Sequence, residues 1–136
     1  MRHAPLLRRV RSGRGVVLTP AKLNLFLEVH SRRGDGFHEL ETLMVPLLWW
    51  DRIRVSIRDG GTTEPDRLVV RGIAVPTGSS NLIRRAADAL RRHHPVPPLD
   101  IELDKRIPIE AGLGGGSGNA AGTLVLLDEL FDLSLP

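Results

Sequence analysis

Between Arg52 and Arg58 the chain sets Ile53, Val55 and Ile57 against Arg52, Arg54 and Arg58, with Ser56 completing the polar series. A period of two sends successive side chains to opposite faces, so this segment predicts a strand with one buried and one wet face. Leu99, Ile101 and Leu103 alternate with Asp100, Glu102 and Asp104 in the same manner and predict another. In "SSNLIRRAADALRRHH" the period changes: Leu82, Ile83, Ala86, Ala87 and Leu90 recur at helical spacing. Ser79 or Ser80 can cap that helix, and Pro95, Pro97 and Pro98 stop it. A second helix is expected from about Ser117 to Phe131, where "TLVLLDELF" is apolar almost throughout.

The remaining segments are strands and turns. "VVLTPAKLNLFLEVH" (Val16 to His30) alternates only in part and contains Pro20, so it reads as a strand pair or as an edge strand with a bend. "SRRGDGFHE" is a turn, with Gly34 and Gly36 available for positive φ. "LETLMVPLLWW" is a strand separate from "DRIRVSIRD". Within it Trp49 and Trp50 are neighbours that must face opposite sides, one toward the core. "GGTTEPD" (Gly60 to Asp66) is a loop and "RLVVRGIAV" a strand. The order is that of one α+β domain, a mixed sheet covered by two helices.

At 136 residues the chain is long enough for one domain with a real core. It has no cysteine, which removes disulfides and thiolate zinc sites. No apolar run approaches the roughly 20 residues of a membrane helix, so no membrane role is expected. The sequence pI of about 10.5 suggests nucleic acid, but the charge is uneven. Arg2, Arg8, Arg9, Arg11 and Arg14 concentrate basic charge in residues 1–14, which read as a disordered basic leader, while residues 15–136 carry a net charge of −2. A body of that charge argues against nucleic acid as the main partner. His93 and His94 end a helix with no third ligand nearby, so no metal site is expected there.

The most specific stretch is "PIEAGLGGGSGNAAG", with six glycines between Pro108 and Gly122, lying between a predicted strand and a predicted helix. At a helix start the free backbone N–H groups and the helix dipole favour an anion, and missing side chains let phosphate oxygens approach the main chain. A flexible linker is the ordinary alternative, but it would seldom be held between a well-patterned strand and an apolar helix. Two familiar phosphate loops are excluded. Gly116 is followed by Ser117-Gly118-Asn119 where the Walker pattern needs lysine, and the dinucleotide pattern lacks its βαβ setting and downstream acid.

The stretch "PIEAGLGGGSGNAA" resembles the phosphate loop of the GHMP small-molecule kinases. "TPAKLNLFLEV", "RRGDGFHELETLMVPL", "SSNLIRRAADALRR" and "IELDKRIPIEAGLGGGSGNAA" are similar, in that order, to the 4-diphosphocytidyl-2-C-methyl-D-erythritol kinase family. The resemblance runs from about Leu18 to the C-terminus. It implies the GHMP kinase N-terminal domain over residues 15–136, ribosomal-protein-domain-2-like with a left-handed β-α-β unit. It also implies ATP with Mg2+ as cofactors, a cytidine diphosphate derivative of methylerythritol as substrate, and a cytoplasmic enzyme of the non-mevalonate isoprenoid pathway that phosphorylates the substrate's 2-hydroxyl.

Position by position, the resemblance makes Lys22 the lysine beside the transferred phosphoryl group and Asn24 a contact of the methylerythritol part. Phe37 and His38 match the aromatic and histidine pair that holds the cytosine. Pro108, Ile109, Glu110, Ala111, Gly112, Leu113, Gly114, Gly115, Gly116, Ser117 and Gly118 match the ATP phosphate loop, with the Ser117 hydroxyl placed for phosphate or magnesium. On spacing alone Lys22 would be a solvated lysine and His38 a turn histidine. Yet the chain holds seventeen arginines and two lysines, and a lysine is a compact charge on a flexible stem, suited to a moving phosphoryl group.

Two departures shape the expectation. Gly118 stands where the family's loop has a second serine. The aspartate base of the family's G-A-D-[VI]-P motif and its C-terminal domain are not in these 136 residues, so the chain reads as an N-terminal portion with weak or no activity by itself. A nucleotide-binding module without catalysis is the alternative. An RNA-contacting protein is a further one, since the fold is shared with ribosomal and translation-factor domains and the leader is basic.

Overall fold

The computed structural model describes residues 8–58 and 65–135. Its elements are β1 (Arg8–Arg11), β2 (Arg14–Arg32), β3 (His38–Ile57), β4 (Arg67–Gly72), α1 (Leu82–Arg91), β5 (Leu99–Lys105) and α2 (Gly115–Phe131). The strands form one sheet in the order β1-β2-β3-β5-β4, antiparallel throughout except for β4 beside β5. The α+β expectation of a mixed sheet covered by two helices holds.

The alternation in β5 has the predicted result: Leu99, Ile101 and Leu103 are buried and the acids between them are not. They meet Val17, Ile53, Val55 and Leu68 on the same sheet face, and Ile83, Ala87, Leu90, Leu126 and Leu127 of the helices close the core above them. The opposite face is wet. There Arg52 and Arg54 of β3 reach Asp104 of β5 at 2.5 and 3.3 Å, which satisfies charges that alternation turned outward. Leu82 and Ile57 stay largely exposed, at 36% and 40%.

Several boundaries differ from the sequence reading. The N-cap of α1 is Asn81, whose side chain accepts from the Ile83 amide at 2.9 Å, instead of Ser79 or Ser80; asparagine caps as well as serine. α2 starts two residues before Ser117, because Gly114 takes the left-handed conformation (φ 69°) that turns the chain into the helix. Of the two turn glycines, only Gly36 has positive φ, 89°. The disordered leader does not extend over residues 8–14. Gly13 (φ 69°) makes a turn there, β1 pairs with β2, Val10 packs against the core and Arg8 bonds Glu129. Residues 1–7 and most of the Gly60 to Asp66 loop lie outside the described residues.

The largest difference is strand length. Val16 to His30 belongs to one strand of 19 residues, and "LETLMVPLLWW" and "DRIRVSI" are parts of one strand of 20. Their pairing slips between Pro20 and Lys22, where Pro20 faces Trp50 but Lys22 faces Pro46. Proline lacks the N–H a ladder needs, and irregular pairing absorbs it. Trp49 and Trp50 sit at this irregularity, so neither enters the core: Trp49 is 42% exposed and Trp50 half-buried. Past it, the far halves of β2 and β3 form a two-stranded arm ending in the turn at 33–37.

Candidate active site

The glycine segment leaves β5 after a stop in the alternation. Lys105 occupies the inward position that would follow Leu103, and it is 2% exposed. Its ammonium lies 2.5 Å from a carboxylate oxygen of Asp51, itself fully buried on β3. The other Asp51 oxygen accepts from the Arg106 and Ile107 amides at 2.7 and 2.9 Å. One buried aspartate thereby neutralises a buried cation and fixes the backbone that leads into the loop, a satisfied arrangement of the kind a buried ion pair requires.

The loop then runs over Pro108 to Gly114. Gly112 and Gly114 take left-handed φ values of 70° and 69°, and Glu110 takes 58°. Gly114 lies against the Lys22 side chain so closely that a Cβ there would come within 2.9 Å of two of its carbons. The Lys22 amide donates to the Leu113 carbonyl at 2.9 Å, which ties β2 to the loop. Beyond, α2 begins without a side-chain cap and without an acid in its first turn. The amides of its first turn have no helical acceptor, and they open on a cavity of about 280 Å³ lined by Leu82 and by Pro108 to Ser117.

Lys22 packs against this loop at Gly114. Its ammonium donates to the Asn24 side-chain oxygen at 3.2 Å, so Lys22, Asn24 and the glycine loop form one group. Phe37 and His38 do not join it. Phe37 is 71% exposed at the tip of the arm, and His38 pairs with Arg32 six residues along β3 from Met44, the partner of Asn24. At about 3.3 Å per residue that is roughly 20 Å along the ribbon.

Residues that the sequence reading passed over stand behind the loop. A second cavity of about 170 Å³, mostly apolar, adjoins the first; Leu82, Ile109 and Gly116 line both. Its polar wall comes from Ser80, Asn81, Lys105 and Asn119. Asn119 on α2 is buried and accepts from the Thr19 hydroxyl at 2.9 Å. The signal was in the alternation: Thr19, Asp51 and Lys105 are polar residues at inward parity, each next to apolar neighbours two positions away. On the arm, Glu28, His30 and Glu41 bring potential metal-ligand atoms within 4.8 Å of one another, all exposed.

Residues 81–136, from the cap of α1 through the glycine loop to the end, match the GHMP kinases N terminal domain. The 4-diphosphocytidyl-2-C-methyl-D-erythritol kinase of Burkholderia thailandensis is 47% identical over 120 residues, 88% of this chain and 40% of that protein. The chain belongs to the GHMP kinase superfamily.

Within that superfamily, the kinase of the same name from Burkholderia mallei is 46% identical over 122 residues, with the same two coverages. A crystal structure of 4-(cytidine 5'-diphospho)-2C-methyl-D-erythritol kinase superposes with a TM-score of 0.68 at 39% identity, over 89% of this chain and 42% of that one. Mevalonate pyrophosphate decarboxylase from Streptococcus pyogenes shares the fold at 17% identity, with a TM-score of 0.65 over 90% of this chain and 39% of its own. The chain spans about two-fifths of the length of the curated GHMP kinases it matches. No described helix is long and apolar enough to cross a membrane.

Proposed function

We propose that this chain forms the ATP-binding wall of a small-molecule kinase, which phosphorylates the 2-hydroxyl of 4-diphosphocytidyl-2-C-methyl-D-erythritol in the cytoplasm for non-mevalonate isoprenoid synthesis. The observation that carries the reading is the uncapped start of α2 facing a cradle built on left-handed glycines, with the Lys22 stem pressed on Gly114. Glycine amides and a helix dipole suit polyphosphate, and a Cβ-free loop gives it room. The loop amides and the Ser117 hydroxyl would hold the phosphates of ATP with its Mg2+, which would supply the phosphoryl group and neutralise its charge. Its base takes the 170 Å³ cavity beside the loop.

Phosphoryl transfer asks for positioning and charge neutralisation. Lys22 provides a cation at the loop's edge, and Asn24 orients it while facing the acceptor. Phe37 and His38, far along the arm, suit the cytosine end of an elongated substrate. The base that deprotonates the hydroxyl belongs, in this reading, to the remaining length of the relatives, as does a second domain covering the apolar arm.

Calorimetric titration of the 136-residue chain with ATP and Mg2+ tests this. Saturable binding that is lost in Gly114→Ala, with no turnover of the cytidine diphosphate substrate above background, is the expected result. No binding would end the nucleotide reading, and normal turnover would refute the need for a second domain. A chain that binds ATP but never turns over, even when joined to the second domain of a relative, would favour a binding module.

A further inference from the structure

Glu110 is out of place in a phosphate cradle. It is exposed, it lines the 280 Å³ cavity, and among the described residues it forms no hydrogen bond or ion pair. Its carboxylate opposes the polyphosphate that the surrounding amides favour. Its backbone compounds the problem, because φ is 58°, a region that L side chains avoid and that glycine enters freely. The same loop uses glycine for that conformation at positions 112 and 114. A negative side chain is thus held where both charge and conformation argue for glycine.

The position of the two cavities supplies a use for it. They meet at Leu82, Ile109 and Gly116, and a nucleotide with its base in one and its phosphates in the other must carry its sugar across that junction. Glu110 follows Ile109 directly and lines only the phosphate side. A carboxylate offers two acceptor oxygens, which match the paired hydroxyl donors of a ribose and nothing on a phosphate. We infer that Glu110 accepts hydrogen bonds from the 2'- and 3'-hydroxyls of the bound nucleotide and makes this site selective for ribonucleotides. The inference rests on the nucleotide reading above and adds the sugar to it.

The test compares ATP with 2'-deoxy-ATP and 3'-deoxy-ATP, each with Mg2+, by calorimetry on the 136-residue chain, its Glu110→Gly variant and its Glu110→Gln variant. A hydrogen bond to a charged group corresponds to about 10- to 100-fold in affinity, so the native chain should prefer ATP over at least one deoxy form by that factor. Glu110→Gly should bring the ratio to about one while binding the deoxy forms at least as well, because it removes the charge. Glu110→Gln should fall between. Glycine suits the left-handed position, so a thermal melt of Glu110→Gly should lie at or above the native one. Equal native affinities for ribo and deoxy forms would overturn the inference and leave nucleotide binding standing, as would a preference that survives in Glu110→Gly. Failure of the native chain to bind any of the three nucleotides would overturn the nucleotide reading, and this inference with it.

Discussion

β2 and β3 each live in two environments. Near the helices Val17, Thr19, Ala21, Ile53 and Val55 are at most 2% exposed, and their alternation with outward residues is regular. In the arm, Leu25, Leu27, Val29, Leu40 and Leu43 of the same two strands are 52–61% exposed. The residue types hardly differ. What differs is the cover: two helices lie over one half, and nothing among the described residues lies over the other. Hydrophobicity in a strand therefore states a need for burial, and the remainder of the fold decides whether it is met.

The sharpest way to break the comparison is to remove a polar residue from the covered half. Asp51→Ala would strand the Lys105 ammonium and leave the Arg106 and Ile107 amides without their acceptor. Breaking a buried pair on one side costs about 3–5 kcal/mol, much of the margin of a small domain. Urea denaturation should show this loss together with loss of ATP binding, and a cost under about 1 kcal/mol would mean that the pair is not buried in solution. One substitution applied to both halves comes next. Leu103→Ala should cost about 2–5 kcal/mol, whereas Leu27→Ala should stay within about 0.5 kcal/mol; equal costs in urea would show that the arm is covered after all.

A third test acts on the arm's outer surface. Contiguous exposed apolar side chains favour association, so the isolated chain should self-associate as concentration rises. Leu27→Lys with Leu40→Lys should weaken that by about tenfold, equivalent to about 1.4 kcal/mol, with little change in the denaturation midpoint. Sedimentation velocity reads the first and urea the second. A monomer at all concentrations would remove the arm as the cause.

These contrasts also mark what the sequence could reveal. Where one face is covered, period and parity carried the structure: β5 and α1 were legible almost residue by residue, and the glycine loop was legible in its place between a strand and a helix. Strand continuity was not, because Pro20 and the Trp49-Trp50 pair look like ends when read locally, while the pairing slip that absorbs them is a property of two strands together. The residues behind the loop were hidden for a related reason. Thr19, Asp51 and Lys105 each interrupt an apolar series at inward parity, but they lie far apart in the chain, and only the sheet gathers them behind one loop. β1 was missed because its stability comes from Val10 on the core and Arg8 on Glu129, contacts more than a hundred residues away for the latter.

The smallest predicted effect lies inside the loop's helix. Gly118 is the fourth residue of α2, and a Cβ there would meet nothing nearer than the Pro20 carbonyl oxygen at 3.7 Å. That is ordinary contact, unlike Gly122, where a Cβ would come within 2.3 Å of a Thr19 methyl. Glycine within a helix is about 0.5 kcal/mol less favourable than serine, so Gly118→Ser should raise stability by about that amount. It would also add a hydroxyl one residue beyond Ser117, and tighter ATP binding should accompany the higher midpoint if that hydroxyl reaches the phosphates. A gain in stability without any gain in affinity would mean that backbone amides and Ser117 suffice, and that a second hydroxyl in the loop adds nothing to binding. A loss of stability would instead show that the approach of Pro20 to α2 is tighter than 3.7 Å allows, and would place the strain at the junction where the covered half of β2 gives way to the arm.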